Sequence, residues 1–138
     1  MTLLVYIAGP YRAPTTWEIH KNIHNARVWG VVVARAGAYP MIPHSNTAHF
    51  DGAVDGAVDG DEFWLNGTLE MMRRCDGVLL IDGWMRSTGA CEEQRQAAAL
   101  GIPLLSADGW SNRGGSHIHE DVAAWIGTLK PRVTHAAV

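Results

Sequence analysis

Cysteine is scarce in this chain, with only Cys75 and Cys91 among 138 residues, and neither stands in a metal-type spacing. A disulfide scaffold and a zinc ribbon are both excluded on that count. Charge of one sign is lacking too. Eleven Lys and Arg against fourteen Asp and Glu give a net charge of −3, and the basic residues are scattered. No basic stripe exists to track a duplex, so double-stranded nucleic acid is excluded as the main partner. A single phosphate needs only one or two donors, so a small nucleotide stays open. Long hydrophobic runs are missing: the opening Leu3 to Ala8 is far too short to span a bilayer, and no membrane partner is expected. That opening also lacks a basic n-region, which with two free thiols predicts a reducing, cytoplasmic setting.

What is present reads as one α/β domain over 1–129 with a loose tail at 130–138. Leu3 to Ala8 suits a strand buried on both faces, stopped by Gly9-Pro10. Thr15 and Glu18 form a capping-box pattern, and Ile19, Ile23, Ala26 and Val33 follow at helical spacing to about Ala36. Gly37 stops that helix, and Ala38 to Ile42 is a second strand. A long loop from Pro43 to Gly60 carries a tandem Gly- and Asp-rich repeat, the composition of a lid or an unstructured segment. Asp61 is placed to cap a helix whose stripe is Leu65, Leu69 and Met72. Gly77 to Ile81 is a third strand, Ser87 or Thr88 opens a helix through Leu100, and Ile102 to Ser106 is a fourth strand. A last helix is expected from His119 to Leu129. This alternation predicts a flavodoxin-like three-layer sandwich around a parallel sheet of four or five strands.

In such sheets ligands bind beyond the carboxyl ends of the strands, where strand order switches. Three segments qualify: the loop after Ala8, the loop after Ile42, and the connection from Asp82 to Glu93. In the first, Gly9 permits close backbone approach, and Arg12, beside Tyr11, can pair with a phosphate or carboxylate. A strand-ending turn with a solvated Arg explains the same residues equally well. In the third, Ser87 and Gly89 at a helix start offer a hydroxyl and amides to an anion. Glu93, one turn further in, projects toward the cleft, while Glu92 diverges from it by about 100°. A capped helix with two exposed acids is the plain alternative. In the second, His44 and Asn46 can read the edges of a base or sugar, and an ordinary polar loop explains them equally well; further on, Trp64 and Trp84 can stack on a base, although core or dimer packing is the commoner use of Trp. His44, His49 and Asp51 are poorly spaced for a metal, so neither metal nor cofactor is expected.

Taken in order, Tyr6-Ile7-Ala8-Gly9-Pro10-Tyr11-Arg12, Arg74-Cys75-Asp76-Gly77-Val78-Leu79-Leu80, Gly83-Trp84-Met85-Arg86-Ser87-Thr88-Gly89-Ala90-Cys91-Glu92-Glu93 and Gly101-Ile102-Pro103 resemble the superfamily of nucleoside 2-deoxyribosyltransferases and 2′-deoxynucleoside 5′-phosphate N-hydrolases. The resemblance runs from Val5 to about Leu105. It implies that Glu93 attacks the anomeric carbon of a sugar, as the nucleophile of a retaining glycosidase does. It implies a 5′-phosphate held by Ser87 and Arg12, because members acting on free nucleosides carry an acid where Ser87 stands. It also implies a homodimer or higher homo-oligomer, for which six Trp residues supply apolar surface. One departure stands out. The family has an Asp eight residues before the Asp of its Cys-Asp pair, and here that position is Thr68. Asp61, Glu62, Glu70 and Asp82 are the nearest acids to take its place. The expected activity is N-glycosidic cleavage of a (deoxy)nucleoside 5′-monophosphate to water. A deoxyribosyltransferase on free nucleosides and a silent nucleotide-binding module stay open beside it. As a cleft carboxylate, Glu93 is expected to be exposed and to contribute little to stability.

Overall fold

A computed structural model describes residues 1–48, 50, 53, 60–113 and 116–132. Four strands, β1 (Leu4–Ala8), β2 (Tyr39–Met41), β3 (Gly77–Leu80) and β4 (Leu104–Ser106), pair in the order β2-β1-β3-β4, all parallel. The helices are α1 (Thr16–Arg35), the one-turn α2 (Pro43–Asn46), α3 (Asp61–Arg73), α4 (Thr88–Ala99) and α5 (Ser116–Ile126).

Side-chain alternation along the strands builds the layers. Val5 and Ile7 of β1, with Leu79 of β3, enter one core with Ala26, Trp29 and Val33 of α1 and Val122 and Ile126 of α5. Tyr6 and Ala8, with Val78 and Leu80, enter a second core on the opposite face. There they meet Leu69 and Met72 of α3 and Ala97 of α4. The result is the expected three-layer arrangement with four strands among the described residues. Strand order reverses between β1 and β3, so the loops that follow these two strands diverge and leave a crevice between them.

Local signals explain most boundaries. Thr15 Oγ1 accepts from Glu18 N at 3.1 Å and caps α1. Gly37, at φ 95°, takes the left-handed conformation that stops the helix. The helix α3 starts at Asp61 itself, with Gly60 in the capping position and no side-chain cap, so Asp61 is not the cap. Strands β2, β3 and β4 are shorter than their apolar runs, and α5 spans Ser116–Ile126 rather than His119 to Leu129. Residues 133–138 of the tail expected to be loose lie outside the described residues, and within its described part Arg132 is bonded to the domain. Its amide donates to Asp76 Oδ1 at 2.7 Å and its guanidinium to Cys75 O at 2.7 Å, while Asp76 Oδ2 also accepts from Leu4 N. The Gly- and Asp-rich repeat lies almost wholly outside the described residues, as do His49 and Asp51. No helix among the described residues is long and apolar enough to cross a membrane.

Candidate active site

The crevice between the β1 and β3 loops holds a cleft of about 800 Å³. Gly9 to Arg12 form one wall, and Gly83 and Arg86 to Ala90 another. Pro43, His44 and Thr47 close it from the β2 side, and Phe50, Trp64, Leu65 and Thr68 from the α3 side, with Tyr6 and Glu93 also lining it. All three segments chosen by the strand-end rule therefore meet here.

Glu93 is 6% exposed, so the expectation of an exposed carboxylate is corrected. The helix α4 packs on the sheet, and the face that carries Ala90, Glu93 and Ala97 is its buried one. Burial raises the Glu93 carboxyl to about 7, with a hydrogen bond from Tyr6 pulling the other way. The Tyr6 hydroxyl donates to Glu93 Oε2. Burial first, and the Glu93 charge second, push the Tyr6 phenol well above its ordinary value, so it stays protonated as the donor. Thr68 lines the same cleft, and its hydroxyl donates to Leu65 O at 2.9 Å. Tyr6 is a site residue that motif reading passed over. A phenol inside an otherwise aliphatic strand was the available signal, because a buried tyrosine hydroxyl needs a partner.

Glu92 diverges as its helical position dictates. It pairs with Arg95 and accepts from Gln96 at 3.0 Å, on the outer side of α4.

The start of α4 is open to an anion. Ser87 caps the helix, its Oγ accepting from Ala90 N at 3.2 Å. That bond uses an oxygen lone pair and leaves the hydroxyl hydrogen to donate outward. The amides of Thr88 and Gly89 head the helix and have no carbonyl one turn back within it. A side chain at Gly89 would meet nothing within 4 Å, and Ser87, Thr88 and Gly89 all line the cleft. Arg12 lines the same cleft.

The first loop is held in place from two sides. Asn22 Nδ2 donates to Tyr11 O at 3.0 Å. His44 Nε2 contacts Pro10 O at 2.9 Å and Gly9 O at 3.2 Å. Carbonyls only accept, so Nε2 carries the proton, and burial lowers the His44 pKa and keeps the ring neutral. His44 thus lines the cleft, yet its donor is committed to the backbone rather than to a ligand. Gly9 is required by packing as well as by any ligand: a Cβ there would sit 2.4 Å from Ile81 Cγ1.

Three expected site residues lie elsewhere. Asn46 is exposed and lines a smaller hollow beside the cleft, of about 460 Å³. Asp82 accepts from Ser111 Oγ, beyond the end of β4. Trp84 donates its indole N–H to Ser106 Oγ at 3.0 Å and packs on the second core, whereas Trp64 does face the cleft. Arg86, given no role by the sequence reading, lines the cleft. Of the acids offered in place of the family Asp, Glu70 pairs with Arg73 and Arg74 on the surface, Glu62 is exposed, and the Asp61 side chain lies outside the described residues. Among the described residues Glu93 is the one carboxylate lining the cleft. No group of three metal-ligating side chains is found among them either.

Comparison with known proteins gives a family and a fold. Residues 3–107 match the family described as "Domain of unknown function (DUF7768)". No curated protein matches the sequence. A solved structure of a 2-deoxyribosyltransferase from the psychrotolerant bacterium Bacillus psychrosaccharolyticus superposes with a TM-score of 0.51. It covers 77% of this chain and 74% of that one at 23% identity. At that identity the likeness shows the shared α/β fold.

Proposed function

The chain belongs to this DUF7768 family, whose description carries no chemistry, and from the geometry of its cleft we propose that it cleaves the N-glycosidic bond of a (deoxy)nucleoside 5′-monophosphate. The observation that carries this reading is Glu93, a buried carboxylate hydrogen-bonded by Tyr6 and facing a cleft whose other wall is an anion-receptive helix start. The fold shared with a 2-deoxyribosyltransferase supports it.

In this reading Ser87, Arg12 and the first amides of α4 hold the 5′-phosphate, and Trp64 and Phe50 offer aromatic faces to the base. The ionised Glu93 attacks C1′, and the base leaves with the bonding electron pair and takes a proton from water in the cleft. Water then attacks C1′ of the glycosyl ester, which frees the sugar phosphate, restores the carboxylate and gives a proton to solvent. Tyr6 fixes the carboxylate oxygen and partly offsets the cost of ionising it in a dry site. Arrangement of the subunits as a homodimer belongs to the same proposal, and exposed Trp17 and Tyr39 offer apolar surface for it.

Chromatography of free base released from a panel of nucleoside monophosphates and nucleosides tests the activity, with Glu93→Ala as the inactive control. Release that persists in Glu93→Ala, or no release from any substrate, refutes it. Thr68 in place of a second acid favours one other reading, a nucleotide-binding module without turnover. Tight monophosphate binding with no released base would select that reading.

A further inference from the structure

Three consecutive backbone carbonyls of the first cleft loop are held by side chains from outside it. Gly9 O and Pro10 O both face His44 Nε2, at 3.2 and 2.9 Å, and Tyr11 O accepts from Asn22 Nδ2 at 3.0 Å. The two side chains share one support. Asn22 belongs to α1, and α2, which carries His44, is rooted on that same helix. A Cβ at Gly30 of α1 would stand 2.5 Å from Ile42 Cδ1, and Ile42 is the residue that opens α2. The β1–β2 ladder ends at the pair Tyr6 and Met41. His44 carries the connection between the two segments on past that point.

The imidazole has no nitrogen left for a ligand. Its Nε2 proton goes to the loop carbonyls, and Nδ1 is buried with no hydrogen-bond partner among the described residues. The residue is 5% exposed, and its ring meets Tyr11 edge-on with centroids 6.0 Å apart. A peptide unit is planar and trans, so fixing a carbonyl also fixes the direction of the N–H that follows it. With Pro10 O and Tyr11 O both held, Tyr11 has a fixed peptide on either side and Arg12 has one before it. Both residues line the cleft.

We propose that His44 is a positioning residue: it reads no group of the substrate, and through Gly9 O and Pro10 O it holds the loop that presents Tyr11 and Arg12 to the cleft. Its effect on turnover rests on the glycosidase reading, and its effect on the loop does not. The imidazole acts as a fixed donor, so its N–H matters here more than its ring.

Two variants separate the donor from the ring. His44→Phe keeps an aromatic ring beside Tyr11 and loses the N–H, whereas His44→Gln loses the ring and keeps an N–H donor at similar reach. Backbone NMR order parameters of Tyr11 and Arg12 read the loop without substrate. In His44→Phe they are expected to fall from the rigid range to below about 0.6, and in His44→Gln to stay near wild type. With a monophosphate that releases base, KM is expected to rise about ten-fold in His44→Phe while kcat holds, because a displaced loop weakens substrate and transition state alike. His44→Gln recovers most of that KM. His44→Ala, which removes donor and ring together, replaces His44→Phe if that variant does not fold. An ordered loop and unchanged KM in His44→Phe, with both lost in His44→Gln, would assign the role to ring packing and overturn the proposal. A fall in kcat at unchanged KM overturns it too, by putting the imidazole in the chemistry, and both results leave the glycosidase reading standing. A loop loosened in His44→Phe and restored in His44→Gln, in a protein that releases no base, supports the positioning role and removes the glycosidase reading instead.

Discussion

The Tyr6 hydroxyl donates to Glu93 Oε2, joining groups 87 positions apart in the chain. Tyr6 reaches that oxygen because even-numbered positions of β1 face α3 and α4, and Glu93 reaches it because it lies on the buried face of α4. Sheet parity and helix phase therefore converge on one bond, on which the chemistry proposed for the cleft depends.

The bond makes a pH-dependent prediction for Tyr6→Phe. Removing the donor takes away the interaction that pulls the Glu93 pKa down and leaves burial unopposed, so the carboxyl should titrate above 7. A nucleophilic carboxylate acts only when ionised. The rising limb of kcat/KM against pH should therefore move upward, with the largest loss near neutrality and partial recovery at alkaline pH. Carbon NMR of the labelled Glu93 carboxyl follows the same shift without substrate. A loss equal at every pH would show that Tyr6 acts only through packing.

Stability should respond to the same group. Glu93 has a folded pKa of about 7 against an ordinary 4.5, so its favourable contribution is fully present below 4.5 and is lost as pH rises through 7. That displacement corresponds to about 3 kcal/mol for a buried group. Glu93→Gln keeps an acceptor for Tyr6 and cannot ionise. It should be more stable than wild type at pH 8 by up to that amount, with the difference shrinking toward pH 5. Denaturant midpoints at the two pH values check this, and a pH-independent difference would contradict it.

How far the sequence made this site legible depends on the residue. Glycines 9, 37 and 101 punctuate the strands and helices, so the alternation of elements, and with it the three ligand-facing loops, could be read directly. The first strand reads as a continuous apolar run, which says nothing of which helices will cover which face, so the partner of Tyr6 had no address. Asp82 and Trp84 follow the end of β3, where the strand-end rule expects a ligand. Ser106 at the end of β4 and Ser111 beyond it engage the Trp84 and Asp82 side chains instead, while Gly83 between them stays in the cleft lining. Asn46 sits on a one-turn helix, too short for periodicity to fix its outward face. Ser87, Gly89 and Glu93 were legible because a single helix start, with its cap and its next turn, sets all three.

Packing around the first loop gives a prediction about Gly9. A methyl group there would stand 2.4 Å from Ile81 Cγ1 and 2.8 Å from its Cδ1. Gly9→Ala should destabilise by about 1–3 kcal/mol through overpacking. Ile81→Ala alone opens a cavity and costs about 2–5 kcal/mol. In the double mutant the new methyl occupies space that Ile81 has vacated, so the combined loss should be clearly smaller than the sum. Additive losses in chemical denaturation would mean that the loop, rather than Ile81, absorbs the added group.

Ser87 carries the final prediction, because its cap bond and its ligand role separate chemically. Its oxygen accepts from Ala90 N, and an aspartate can accept the same bond, so Ser87→Asp should keep the helix start intact. The new carboxylate would stand where the proposed phosphate binds, replacing one donor with a negative charge. A lost charge-assisted hydrogen bond is worth about 1.5–3 kcal/mol, roughly ten- to a hundred-fold in affinity, before the added repulsion is counted. Monophosphate turnover should therefore fall far more than nucleoside turnover in Ser87→Asp, and Arg12→Ala should narrow the same preference by removing a cation. Each mutant serves as its own control, since damage to the fold lowers both substrates together. Equal losses, or a wild-type preference for the free nucleoside, would show that this helix start does not hold a phosphate. A wild-type preference for the free nucleoside would in addition pass the reading to a transferase acting on free nucleosides.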